Sequence, residues 1–198
     1  RRLLVKLSGQ AMADHSGFGI AADNIKHFAQ SIASVHQTGA QLAFVLGGGN
    51  FYRGVHLQES GLTRITGDQI GMLSTVLNSL ALRDVLESLH VPTVVLSSMA
   101  LPGICDIYDR RLAIKYLESG HVVLFAGGLG HPLFTTDTTA SLRAIEIEAD
   151  CLIKATNVDG IYDKDPHVHS DAQLLKSVSY EFVIEKKLGV MDLSAFCQ

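Results

Sequence analysis

Four short stretches of this 198-residue chain gather glycine, lysine and small hydroxyl residues directly after an apolar run. Lys6-Leu7-Ser8-Gly9 follows Leu3-Leu4-Val5, and Gly47-Gly48-Gly49-Asn50 follows Leu42-Ala43-Phe44-Val45-Leu46. Gly127-Gly128-Leu129-Gly130-His131-Pro132 follows Val122-Val123-Leu124-Phe125, and Lys154-Ala155-Thr156-Asn157-Val158-Asp159-Gly160 follows Cys151-Leu152-Ile153. Glycines let backbone N–H groups surround an anion, and a lysine beside them places one ammonium between phosphate oxygens. Thr135-Thr136-Asp137, ahead of a helix, is a capping segment whose free N–H groups and positive helix end also favour an anion. Singly, each has a plain reading, a tight turn for Gly47-Gly48-Gly49 and a solvated charge for Lys6. Together they predict a phosphate-rich ligand.

Other chemistries fit less well. No Gly-Lys pair occurs, so the Walker A pattern is absent. Gly17-Phe18-Gly19-Ile20-Ala21-Ala22 matches the looser dinucleotide pattern but lies well past the first apolar run, where a turn or helix entry is the better reading. Of nine histidines only His167 and His169 lie near each other, and no histidine metal centre is predicted. Cys105, Cys151 and Cys197 are too scattered for a disulfide framework or a zinc knuckle.

The elements that must position these residues follow from the apolar pattern. A further run, Val94-Val95-Leu96, joins the four above, with amphipathic stretches between most of them. This alternation predicts an α/β fold, a three-layer αβα sandwich with a mainly parallel central sheet, whose ligand lies beyond the carboxyl ends of the strands. Helices are predicted over Asp23 to Thr38, Asp68 to Leu89, Arg110 to Glu118 and Asp137 to Glu148, the last capped by Thr136 or Asp137. The second is long and largely buried, its core stripe formed by Ile70, Leu73, Leu77, Leu80, Ala81, Val85 and Leu89. Met72, Val76 and Leu86 fall off that stripe, a surplus that suggests a partner.

With 47% hydrophobic residues, the chain can bury roughly 70% of its unfolded surface in one domain. Sixteen basic against twenty acidic residues leave a net charge of -4, without the positive field that nucleic acid or an anionic membrane attracts. Apolar runs of about five or six residues fall far short of the roughly 20 that span a bilayer. A cytoplasmic protein without nucleic-acid or membrane partners is expected.

The ordered set of motifs resembles the amino acid kinase superfamily and, within it, the bacterial uridylate (UMP) kinase family. The resemblance runs from Lys6-Leu7-Ser8-Gly9 through Gly17-Phe18-Gly19-Ile20, Gly47-Gly48-Gly49-Asn50 with Arg53-Gly54, Gly67-Asp68, Arg83-Asp84 and Gly130-His131-Pro132-Leu133-Phe134-Thr135-Thr136-Asp137. It continues through Glu146-Ile147-Glu148-Ala149-Asp150 and Lys154-Ala155-Thr156 to Met191-Asp192-Leu193. It implies transfer of the γ-phosphoryl group of ATP to UMP. Lys6, Leu7, Ser8, Gly9, Gly49 and Arg53 would bind the ATP phosphates, with Lys6 and Arg53 stabilising the transferred group. Thr156, Asn157, Tyr162 and Asp165 would hold the adenosine part. UMP would meet Gly48, Asp68 as a ribose acceptor, and Leu129, Gly130, His131, Pro132, Leu133, Phe134, Thr135 and Thr136. Asp137 would organise the centre, and Mg2+ would be bound through the ATP phosphates rather than by the protein.

The resemblance also implies a homohexamer. Members continue beyond Met-Asp-Leu with a strand, a helix and a strand, so residues 1–198 are expected to form a single domain lacking that segment. Two other readings remain open: a catalytically silent nucleotide-binding regulatory module, and a related kinase acting on carbamate or an amino acid.

Overall fold

The computed structural model describes residues 1–51 and 61–198. Six parallel strands form the main sheet: β1 (Arg2–Leu7), β2 (Gln41–Leu46), β3 (Thr93–Ser97), β4 (Asp106–Ile107), β5 (Val122–Ala126) and β6 (Cys151–Lys154), in the order β4-β3-β5-β2-β1-β6. The central strands β2, β3 and β5 read as nearly unbroken apolar runs because both faces of the sheet are covered there. Leu42, Phe44, Leu46, Val95, Leu124 and Ala126 pack with Ile25, Ala29 and Ile32 of α1 (Ala22–His36) and Val76, Leu82 and Leu86 of α2 (Arg64–Ser88). The alternate residues Ala43, Val45, Leu96, Val123 and Phe125 pack with Ala113 and Leu117 of α3 (Arg110–Glu118) and Ala140 and Ala144 of α4 (Thr136–Glu146). This is the three-layer sandwich that the period-two alternation requires. An antiparallel ribbon, β7 (Ile161–Tyr162) with β8 (Leu174–Leu175), and the short helices α5 (Tyr180–Lys186) and α6 (Leu193–Cys197) complete the described chain. No helix among the described residues is long and apolar enough to cross a membrane.

Two expectations need correction. The N-cap of α4 is Thr135, whose Oγ1 accepts from the N–H groups of Asp137 at 3.2 Å and Thr138 at 3.4 Å, so Thr136 and Asp137 lie inside the helix. Three consecutive residues could each cap, and the one whose backbone stays extended does so. The second correction concerns α2. Its supposed surplus, Met72, Val76 and Leu86, is buried together with Leu82, whereas Leu73 and Leu77 are 48% and 50% exposed. The buried face also carries Gly67, Ser74, Thr75, Asn78 and Ser79, and polar residues that point inward to bond other backbone groups are invisible to a hydrophobic period.

Candidate active site

All strands of the main sheet are parallel, so their carboxyl ends share one edge. The four motif-bearing exits belong to four contiguous strands, β5-β2-β1-β6. Parallel pairing sets Lys6 of β1 directly beside Lys154 of β6, with both side chains on the same sheet face. The first turn of α4 meets them there. Asp137 is ion-paired to both lysines, Lys6 Nζ at 2.7 Å from Oδ1 and Lys154 Nζ at 2.8 Å from Oδ2. Lys154 donates a well-aligned hydrogen bond, as well as one to the Val190 carbonyl, while Lys6 approaches Oδ1 off the hydrogen-bond direction. Burial alone would push the Asp137 carboxyl up, but the Lys154 hydrogen bond and the close positive charges of both lysines outweigh it and hold the group below its ordinary value. A carboxylate fixed in this way keeps two ammonium groups side by side in a site where they would otherwise repel.

The glycine turns follow β1 and β2 at the same end of the sheet. A Cβ on Gly9 would sit 2.4 Å from the Gly47 carbonyl oxygen, and one on Gly48 would sit 2.4 Å from the Gly71 carbonyl oxygen of α2. Both positions therefore exclude any side chain. The Gly47 N–H is bonded to the Leu7 carbonyl at 2.8 Å, while those of Gly48 and Gly49 find no acceptor among the described residues. Adjacent free N–H groups beside an ammonium suit an anion. Ser8 caps the 3-10 turn Gly9–Met12, and the Leu7 side chain is in the core, so Leu7 can offer the site only its backbone. Gly17 and Gly19 form a turn leading into α1, as the helix-entry reading expects.

On the acceptor side, Asp68 of α2 accepts from the Leu133 N–H at 2.9 Å and so ties α2 to the segment between β5 and α4. Leu133 has a left-handed backbone, and Leu133 and Phe134 are exposed, as are His131 and Thr135. Leu129, Gly130, Pro132 and Thr136 are partly exposed along the same segment. Gly127 N–H donates to Thr75 Oγ1 of α2 at 2.8 Å, and Ser98 Oγ donates to the Gly128 carbonyl at 2.6 Å. Behind Ser98 lies Arg143 of α4, which donates to its Oγ at 3.0 Å, stacks 3.6 Å above the Tyr108 ring and pairs with Glu146. Burial and the Glu146 carboxylate push the Tyr108 hydroxyl well above the usual tyrosine range, so it remains a donor.

The adenosine-side residues stand apart. Thr156 and Asn157 are exposed just beyond β6, Tyr162 lies in β7, and an Asp165 oxygen accepts from the His167 N–H at 2.9 Å within its own turn. No hydrogen bond or ion pair among the described residues joins them to the lysines. Arg53 lies outside the described residues. Sequence reasoning noted Lys154 at a strand exit without giving it a role beside Asp137, although a second strand-exit lysine was the available signal. The inward-facing Asn78 and Arg143 carried no signal at all.

The chain matches the Amino acid kinase family over residues 1–195. It is 50% identical over 196 residues to the uridylate kinase of Psychromonas ingrahamii, covering 99% of this chain and 79% of that protein. With the uridylate kinase of Coxiella burnetii it shares 49% identity over 198 residues, covering 100% and 82% of the respective chains. The crystal structure of UMP kinase from Bacillus anthracis superposes with a TM-score of 0.95 at 36% identity, covering 99% of this chain and 81% of that one. Parallel sheet, strand-exit glycines, paired lysines and these similarities agree, and the chain belongs to the amino acid kinase family.

Proposed function

We propose that this chain transfers the γ-phosphoryl group of ATP to UMP, giving UDP and ADP. The observation that carries the reading is the Lys6–Asp137–Lys154 cluster at the exits of adjacent strands, at the same end of the sheet as the Gly48 and Gly49 N–H groups, which have no acceptor among the described residues. Phosphoryl transfer needs in-line positioning and neutralisation of charge more than a covalent nucleophile, and this cluster supplies both. Lys6 and Arg53 follow the charge of the moving phosphoryl group, Lys154 adds a second ammonium, and Asp137 holds the two lysines side by side. Asp68, already turned toward the Leu129–Thr136 segment, is the ribose acceptor, and the N-terminus of α4 receives the UMP phosphate. Both oxygens of Asp137 already face ammonium groups, so Mg2+ would be held by the ATP phosphates rather than by Asp137 and would supply charge neutralisation there.

The names of the relatives support UMP as acceptor over carbamate or an amino acid. The working form in this reading is a homohexamer in the cytoplasm, where ATP and UMP are available, and the exposed Leu73 and Leu77 on α2 suit a contact between copies. A coupled ADP-release assay on the full-length protein with UMP, CMP and AMP tests the reaction. UMP is expected to be turned over fastest, and its rejection as a substrate would overturn the reading.

A further inference from the structure

One face of α2 touches two of the four motif-bearing loops, those that follow β2 and β5. Asp68 holds Leu133, the Gly71 carbonyl abuts Gly48, Thr75 holds Gly127, and Asn78 reaches Gly47. The spacing of three, four and three residues places all four on one stripe of the helix. Asn78 makes the most connected of these contacts. It is fully buried, and its Nδ2 donates to the Gly47 carbonyl at 2.7 Å and to Asn50 Oδ1 at 2.8 Å. Asn50, also buried, returns a bond from its Nδ2 to Asn78 Oδ1 at 2.9 Å and sends another to the Gly19 carbonyl at 2.8 Å. Facing two main-chain carbonyls, the amides can be satisfied only in this orientation. The Gly19 N–H also donates to the Asn50 carbonyl, so the Gly17–Gly19 turn is clamped at two points.

We propose that Asn78 is a positioning residue for phosphoryl transfer, acting through Gly47 and Asn50 to fix the glycine turn whose Gly48 and Gly49 N–H groups meet the ATP phosphates. The proposal rests on the phosphoryl-transfer reading above. Its physical content is that Gly47 is pinned on both sides, its N–H by the Leu7 carbonyl at the end of β1 and its C=O by Asn78. The next two N–H groups are thereby held in one direction, with no acceptor of their own among the described residues. Asn50 Oδ1 lies 2.5 Å from where a Gly9 Cβ would stand, so the same amide pair sets the gap between the β1 and β2 exits. Without Asn78, Gly47 and Asn50 would each lose a buried partner, and the turn would be free to rotate its N–H groups out of line.

The test compares Asn78→Ala, Asn50→Ala, their double variant and Ser79→Ala in the full-length protein. Ser79 is equally buried on α2 but bonds only the Thr75 carbonyl within its own helix, so it reports loss of a buried polar group without loop contact. Asn78→Ala is expected to lower kcat by about 10- to 100-fold in fully folded protein, with KM for UMP changing less than about threefold. Asn50→Ala should lower kcat comparably, and the double variant should fall little below either single one, because both break the same network. Ser79→Ala should keep its kcat. A folded Asn78→Ala with wild-type kcat overturns the proposal, as does a loss appearing only in KM for UMP. Unfolding of both asparagine variants while Ser79→Ala remains folded also overturns it, since the pair would then be a folding element. A wild type that does not phosphorylate UMP defeats the reading of function itself, and the proposal with it.

Discussion

Replacing Asp137 by asparagine keeps the size of the side chain and removes the negative charge that sits between two ammonium groups. The Asp137 and Lys6 side chains are each 12% exposed, and Lys154 is 27% exposed. Breaking a nearly buried ion pair by neutralising one member costs about 3–5 kcal/mol, and the ability of Lys154 to turn toward water puts Asp137→Asn at the lower end, about 3 kcal/mol. For a chain of this size that corresponds to a fall in Tm of about 6–12 °C. The effect has a defined pH dependence. The folded-state carboxyl lies below its ordinary value of 3.8, so its stabilisation is complete above that pH and is lost as pH falls through the depressed folded value. The Tm gap between wild type and variant should therefore narrow in acid. ATP phosphates should compensate the freed lysines, so ATP should raise the Tm of the variant more than that of the wild type. Scanning calorimetry of both proteins, with and without ATP, at pH 7 and in an acid series reads all three effects. A variant within about 2 °C of wild type, with a gap insensitive to pH and ATP, would refute the electrostatic account of the cluster.

Lys6→Ala should lower kcat roughly 100- to 1000-fold, equivalent to about 3–4 kcal/mol, with UMP affinity little changed, and Lys6→Arg should not restore it because a planar fork replaces a compact charge; steady-state kinetics checks both. Gly48→Ala places a methyl group 2.4 Å from the Gly71 carbonyl and should lower kcat/KM by at least about tenfold, whereas Gly49→Ala, whose nearest atom is 3.9 Å away, should leave Tm unchanged by calorimetry. Leu77→Glu, on the exposed side of α2, should reduce the assembled mass in light scattering without lowering the Tm of the protomer; an unchanged mass would remove α2 from the contact between copies.

The strand exits were legible because a parallel strand covered on both faces reads as one apolar run, and the run ends where the ligand edge begins. The pairing of Lys6 with Lys154 was not, because strand order depends on long-range register that no local pattern encodes. The face of α2 was misjudged for a related reason. Apolar periodicity assumes that burial means hydrophobicity, yet Thr75 and Asn78 are buried because loop backbone groups satisfy them. The shift of the α4 cap to Thr135 is smaller in kind: Thr135, Thr136 and Asp137 can all cap, and only the path of the chain selects among them. Arg143, under the acceptor segment, is a buried cation that meets Ser98, Tyr108 and Glu146 from separate regions, so sequence alone would place it on the surface.

The central claim is that the edge formed by β5, β2, β1 and β6 holds the reacting phosphates. A crystal structure of the full-length protein with UMP and a non-hydrolysable ATP analogue tests it most directly. The account expects the γ-phosphate between Lys6 and Lys154, within hydrogen-bond reach of the Gly48 and Gly49 N–H groups, with the UMP phosphate at the N-terminus of α4 and the ribose against Asp68. Phosphates bound elsewhere, with the Lys6–Asp137–Lys154 cluster out of reach of both nucleotides, would contradict it.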